Sequence, residues 1–274
     1  MDALSPGPRA TDKRSLAQPA GREAATPFLE TITINHGPIP LLGRFFLLAD
    51  RAARDRELTL HFSSMEELVQ INKRNPNSWR PILPHYDVKY GGIDSENAFC
   101  IIGRNKVGEV VATQAARLYD WTQTTLMEEA TSLRVFYPVP SEMAHSGEKC
   151  IVTAPDARSI TGRVAFTGAA WYRPDYRGRD LATVLPRIAR AYAFAKWRTD
   201  FNISFIAERL VETGLARRCG YTNVQFAVEL ENFAIGAYRG ALVWMATVEM
   251  LDDLSHSVTA HISQVDTRIE KRRA

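Results

Sequence analysis

Trp171-Tyr172-Arg173-Pro174-Asp175-Tyr176-Arg177-Gly178-Arg179-Asp180-Leu181-Ala182 is the stretch that decides the fold of this 274-residue chain. An apolar strand, Val164 to Trp171, runs straight into it. Beyond it, Leu181, Val184, Leu185, Ile188, Tyr192 and Ala195 recur at three- and four-residue intervals, the buried stripe of an amphipathic helix reaching Trp197. The free N–H groups of a helix's first turn, with its dipole, attract phosphate. Arg173, Arg177 and Arg179 add positive charge beside them, and Gly178 permits close backbone approach or a positive φ. Pro186 costs little within a first turn but kinks a helix deeper in. The regular helix is therefore expected to start near Thr183, leaving residues 177–182 as an anion loop. Taken alone, the segment leaves phosphate binding and ordinary surface charge about equally open.

Outward from this segment, Phe201 to Ala207 reads as a strand, Glu208 to Cys219 as a helix, and Val224 to Leu230 and Tyr238 to Met250 as two further strands. The tail, residues 251–274, has weak helical periodicity and a charged, solvated end. Upstream, Ala98 to Ile102 and Val107 to Leu118 form a hairpin across Gly103-Arg104-Asn105-Lys106. Residues 121–162 are a long excursion holding a short helix (Thr125 to Val135), a proline-bearing loop and a strand (Cys150 to Thr153). Connections of this length are more often functional than idle. Ser63-Ser64-Met65-Glu66-Glu67 caps a helix that runs to about Lys73, Leu41 to Asp55 has helical spacing, and Leu29 to Asn35 alternates as a half-buried strand would. Residues 1–27 read as a disordered leader and 28–250 as one domain.

Arg177-Gly178-Arg179-Asp180-Leu181-Ala182, with the lead-in Pro174-Asp175-Tyr176, resembles the GNAT superfamily of N-acetyltransferases, here as a divergent member. In that family a loop of pattern [Q/R]-x-x-G-x-[G/A] follows a strand, and its amides bind the pyrophosphate of acetyl-CoA. Arg177 and Ala182 match the first and last positions; Asp180 stands where glycine is usual. Gly214-Leu215-Ala216-Arg217-Arg218-Cys219-Gly220-Tyr221 is similar to the family's later helix, which commonly ends in glycine and an aromatic. The local physics agrees: Arg217 and Arg218 suit a helix C-terminus, Gly220 a left-handed cap, and Tyr221 can pack back on the helix. The resemblance covers roughly Ala98 to Met250, with 121–162 as an insertion.

The resemblance implies an α/β (α+β) fold with a mixed, mostly antiparallel central sheet flanked by helices. It implies acetyl-CoA or another acyl-CoA as co-substrate, an amine acceptor and direct acyl transfer. The coenzyme would be held by Ala170, Trp171, Tyr172 and residues Arg177, Gly178, Arg179, Asp180, Leu181 and Ala182, with Gly168 marking a bulge or splay that frees main-chain groups. The family's frequent tyrosine acid falls at Ala216 and is absent. Glu208, at the end of a strand, is the candidate base and Tyr172 a second proton carrier, although a carboxylate at a helix start is also a common structural feature. His85, Asp87 and Tyr119-Asp120-Trp121 are candidates to line the acceptor pocket. Two alternatives stay open: a long-chain synthase of the N-acyl amino acid or acyl-homoserine-lactone type, drawing its chain from a carrier protein, and a coenzyme-binding protein without turnover. A homodimer is compatible with this type of fold.

Composition is ordinary for a globular protein, 45% hydrophobic and 24% charged, with a formal charge of +3. That balance predicts no dedicated nucleic-acid binder. Cys100, Cys150 and Cys219 are too far apart for a CxxC or metal-ligand pattern, so no disulfide framework and no metal is expected. No apolar run approaches the ~20 residues a membrane span needs, and no secretory signal is read, so a cytoplasmic location is expected.

Overall fold

The computed structural model describes residues 26–273, the side chains of 261–273 excepted. The expected leader thus lies almost wholly outside the described residues. A helical turn, α1 (Phe28–Thr31), and the helix α2 (Ile39–Arg54) precede the first strand. The alternation of Leu29 to Asn35 is not a strand. It packs Phe28 against Phe46 and Phe62, and the Asn35 and His36 amides both donate to the Ala195 carbonyl. Alternating apolar residues serve an irregular segment equally well when a helix end, not a sheet edge, supplies the partner.

Strand β1 (Thr59–Ser63) went unread in the sequence; it leads into α3 (Met65–Arg74), where Ser64 Oγ accepts from the Glu67 amide as the cap predicts. The hairpin follows as β2 (Ala98–Arg104) and β3 (Val110–Trp121). The excursion holds α4 (Leu126–Thr131), capped by a Thr125–Glu128 box, then α5 (Pro140–Met143) and β4 (Lys149–Val152). The central unit is β5 (Gly162–Tyr172), α6 (Leu181–Trp197) and β6 (Phe201–Ala207). The expected helix 208–219 is two short ones, α7 (Glu208–Glu212) and α8 (Leu215–Arg218), broken where Gly214 turns left-handed. Last come β7 (Asn223–Glu231), β8 (Tyr238–Ala246) and α9 (Thr247–Arg273).

The eight strands form one sheet in the order β1-β2-β3-β5-β6-β8-β7-β4. Pairing is antiparallel throughout except between β5 and β6, which is the mixed, mostly antiparallel sheet flanked by helices that the sequence predicts. The helix α6 between two parallel strands is the crossover such a pair requires. One face of the sheet is covered by α2, α6, α8 and α9, through Phe46, Leu185, Ile188, Ala216 and Leu254. The excursion covers the opposite face, burying Trp121, Leu126, Phe136 and Ile160, and its strand β4 adds itself to the far edge.

The tail is the main departure from the sequence reading. Helix α9 begins at Thr247, ending β8 four residues early, and buries Met250, Leu254 and Val258 in the core. It is pinned by Asp253, which takes two bonds from Arg187 (2.8 and 3.0 Å) and lies 3.7 Å from Arg190. Arg190 is fully buried, and its Nε and Nη1 have no partner among the described residues. Removing one member of a buried ion pair costs more than the pair contributes, because a charge is left behind. Asp253→Ala is therefore expected to lower unfolding stability by about 3 kcal/mol in urea titration; a loss below about 0.5 kcal/mol would show that α9 docks without it.

Candidate functional site

Strand β5 organises the site. It pairs with β6 only from Val164↔Phe201 to Phe166↔Ile203, and beyond that the two strands have no ladder between them. On its other side β5 carries a bulge: Thr113 faces Trp171 but Ala115 faces Gly168, so Gln114 opposes two residues, Ala169 and Ala170. Ala169 has φ +47°. The sequence expectation of a bulge near Gly168 is met. Neighbours hold it in place: Thr113 Oγ1 donates to the Ala169 carbonyl (2.8 Å) and Gln114 Nε2 to the Gly168 carbonyl (3.2 Å). A side chain at Gly168 would collide with the Tyr86 hydroxyl, which donates to the Phe166 carbonyl. Gly168 and Ala169 are half-buried and Ala170 is exposed where the strands part.

From Tyr172 the chain enters a tight turn, Pro174–Tyr176, and then the expected anion loop. Among the described residues, the main-chain N–H groups of Gly178, Arg179, Asp180, Leu181 and Ala182 make no hydrogen bond, whereas Thr183 N–H returns to the Asp180 carbonyl at 3.0 Å. Gly178 is exposed at φ +78°, with open space where a Cβ would be. Asp180 adopts φ +54°, ψ +26°, and its carboxylate caps nothing. A left-handed residue favours glycine, and Asp is among the few side chains that tolerate it. That geometry accounts for aspartate in a glycine's place. Helix α6 begins at Leu181, not Thr183, so Pro186 sits inside it. The proline removes one hydrogen bond from the ladder, and the helix keeps its first-turn amides pointed at the loop regardless.

The arginines are less available than the sequence suggests. Arg173 is held by Asp175 (2.7 Å) and Glu109 (2.8 Å). Arg179 reaches Glu57 at 3.0 Å and stacks on Tyr176. These cations hold the Glu57, Glu109 and Asp175 carboxyls below their ordinary range, Glu57 through Lys106 first and Arg179 second. Arg177 has no carboxylate partner among the described residues. It is exposed and donates to the carbonyls of Tyr172 (3.2 Å) and Ser78 (3.0 Å). The loop is braced from outside as well, by Arg56 Nε on the Arg179 carbonyl at 2.8 Å and by Ser78 Oγ, which accepts from the Trp171 indole.

Glu208 follows the last residue of β6, is exposed, and has no partner among the described residues; it lines a cavity of about 300 Å³ with Ile151, Phe226 and Gly240. Tyr172 lies on the helix-covered side of the sheet, its hydroxyl buried without a partner, and burial raises its pKa far above the usual phenol range. No hydrogen bond joins it to Glu208. The expected acceptor lining is largely closed. His85 is wholly buried among Tyr86, Phe136 and Phe166 with its pKa lowered by burial first and Arg117 second. Tyr119 stacks on the buried Trp121, and its hydroxyl bonds the Val135 carbonyl within the excursion. Asp87 pairs with Lys89.

Sequence reading missed a polar group at the base of the splay. The Tyr221 hydroxyl is 2.8 Å from Thr167 Oγ1, which also reaches the carbonyl of Ile203, the last residue of β6 paired with β5. Arg190 lies over the Tyr221 ring at 4.4 Å and donates to the Cys219 carbonyl. Burial raises the Tyr221 pKa and Arg190 opposes the shift. The Gly-Tyr signal located this residue as a helix stop, which it is; its hydroxyl's position depends on pairing fifty-four residues apart.

No family model matches the chain, and no curated protein matches it. Among solved structures, the chain is similar to a spermidine N-acetyltransferase from Vibrio cholerae in complex with CoA and spermine: 16% identity, TM-score 0.43, covering 71% of this chain and 98% of that one. A dodecameric spermidine N-acetyltransferase from the same organism gives 14% identity and a TM-score of 0.42 over 69% and 94%. Within the described residues no group of His, Cys, Asp or Glu is arranged to hold a metal, and no helix is long and apolar enough to cross a membrane. The loop geometry predicts opposite effects at one position. Asp180→Gly should hold or raise the thermal midpoint, while Asp180→Val should cost about 1–2 kcal/mol; equal midpoints would contradict the left-handed assignment.

Proposed function

We propose that this chain is an acyl-CoA-dependent N-acyltransferase, a divergent member of the GNAT superfamily that moves an acetyl or longer acyl group from a thioester to an amine. One observation carries the reading: five consecutive unengaged amides, 178–182, at the start of a long helix, directly after a strand that bulges and leaves its parallel neighbour. Such amides receive a diphosphate. Arg177 adds the nearby charge that is not already neutralised by a carboxylate.

In this reading the pantetheine arm lies along β5, and main chain at 168–172 receives the acyl carbonyl as it becomes an oxyanion. The amine nitrogen attacks the carbonyl carbon, the carbon–sulfur bond breaks, and the proton shed by the amine passes to Glu208. The departing thiolate needs a proton in turn. Tyr172 and Tyr221 are the phenols on the helix side of the splay, and Tyr221 is the better placed, since its hydroxyl stands where β5 and β6 part. Both hydroxyls are buried, which also supports a second reading, coenzyme binding without turnover.

Calorimetric titration with acetyl-CoA and longer acyl-CoAs tests the first part; absence of binding by any of them would end the proposal. Thiol release over a panel of amines tests the second. Glu208→Gln is expected to lower kcat about 100-fold or more with coenzyme affinity unchanged, and Tyr221→Phe to lower kcat about 10-fold with unchanged affinity. Tight coenzyme binding with no thiol release by the wild type would establish the second reading instead.

A further inference from the structure

Arg190 is the largest fully buried side chain among the described residues. It stands on α6 in a stretch otherwise given to the core, where Ile188, Ala189, Ala191 and Ala193 are also fully buried. A guanidinium carries five N–H donors in a planar fork. Here Nη2 donates to the Cys219 carbonyl, while Nε and Nη1 have no partner among the described residues. Asp253 Oδ2 lies 3.7 Å from Nη2, and both of its oxygens already take bonds from Arg187. A buried charge so thinly compensated is costly, and apolar side chains of similar volume often replace such pairs without loss of stability. Tying α6 to the turn after α8 therefore does not require a cation. What the charge faces is a ring: the Arg190 Cζ lies 4.4 Å from the centroid of Tyr221. An aromatic face attracts a cation, and more strongly where water is excluded.

Tyr221 is itself buried, with its hydroxyl 2.8 Å from Thr167 Oγ1, one residue past the last rung between β5 and β6. Thr167 Oγ1 also bonds the Ile203 carbonyl at 3.3 Å. A threonine has one proton to give. While that proton is on Ile203, the Tyr221 hydroxyl donates to Thr167. Once Tyr221 has lost its own proton, Thr167 can turn and donate to the phenolate. Four groups face this phenol: Arg190 from α6, Thr167 from β5, Cys219 from the turn after α8, and Tyr86 from the opposite face of the sheet. Burial raises the phenol's pKa first and Cys219 adds to it, while Arg190 and then Thr167 oppose the rise. Arg190 is the one cation of the four, so without it no charge opposes the burial.

Resting on the acyltransferase reading, we propose that Arg190 is a positioning residue for the proton donor: from the face of the ring it holds Tyr221 against Thr167 and stabilises the phenolate formed when the thiolate is protonated. In that step the Tyr221 O–H bond breaks and an S–H bond forms on the departing thiol. The phenolate is left between the Arg190 cation and the Thr167 hydroxyl. The proton that the amine gave to Glu208 returns to solvent, and the phenolate takes one back from solvent.

The test follows thiol release from acetyl-CoA by the full chain, with the amine that reacts fastest in the panel, as a function of pH. Arg190→Met should lower kcat about 10-fold with the KM for acetyl-CoA unchanged. It should also move the alkaline limb of the kcat profile upward by about one pH unit, because the phenol then holds its proton more tightly. Arg190→Lys keeps a cation and should return the limb toward its wild-type position. In a Tyr221→Phe background, Arg190→Met should change kcat by less than about 2-fold. An equal fall in kcat in both backgrounds, or a limb that Arg190→Met does not move, would reduce Arg190 to a packing role and overturn the assignment. Should Arg190→Met not fold, ¹³C-tyrosine spectra of the wild type decide. Tyr221, assigned through Tyr221→Phe, should titrate at lower pH than Tyr172, whose buried hydroxyl is shifted by burial and Cys219 and by no cation; Tyr172 titrating first would likewise overturn it. If the wild type releases no thiol with any amine, the acyltransferase reading itself fails, and this assignment with it.

Discussion

The separation of β5 from β6 after Phe166 and Ile203 is the constraint from which the rest follows. Parallel strands joined by a crossover helix normally pair along their length, and each unmade ladder bond must be met elsewhere or face solvent. Here β6 finds its ladder on β8 along its whole length, and β5 continues on β3 as far as Tyr172. The inner edges of both strands are left facing each other across a wedge. The bulge at Ala169 and the small residues beside it keep the wedge from being filled by β5's own side chains.

The loop is stabilised without using the groups that a ligand would need. Its guanidinia and the Arg179 carbonyl are engaged by Glu57, Arg56, Ser78 and Glu109, and Arg173 and Arg179 lie over the Tyr176 ring. Its amides are not. A preorganised turn of this sort binds an anion with little further ordering, which favours affinity. The left-handed backbone at Asp180 suits the same turn, because such residues occur in the backbone concavities that receive anions.

Strand, turn and helix were legible because their signals are local: the apolar run to Trp171, the stripe from Leu181 and the Gly220-Tyr221 stop all lie within a few turns of chain. The bulge was legible from Gly168. What was not legible depends on distant partners. Nothing near Arg179 in sequence shows that Glu57 neutralises it, 122 residues away, or that Arg173 is paired with Glu109. Met250, Leu254 and Val258 fall at four-residue spacing, but charged neighbours dilute the pattern, and only packing against α2 and α6 makes α9 a core element. His85 and Tyr119 looked like strand-end polar residues because the excursion that buries them has no short-range signature of where it folds.

The central claim is that amides 178–182 are open and grip a diphosphate. Backbone ¹H–¹⁵N spectra of the 30.7 kDa chain, recorded free and with CoA, read those groups one by one. The account predicts fast hydrogen exchange at Gly178, Arg179, Asp180, Leu181 and Ala182 in the free protein, and large shifts with slowed exchange at those positions when CoA is added. Slow exchange before CoA is added, or CoA binding that leaves those five resonances unmoved, would contradict it.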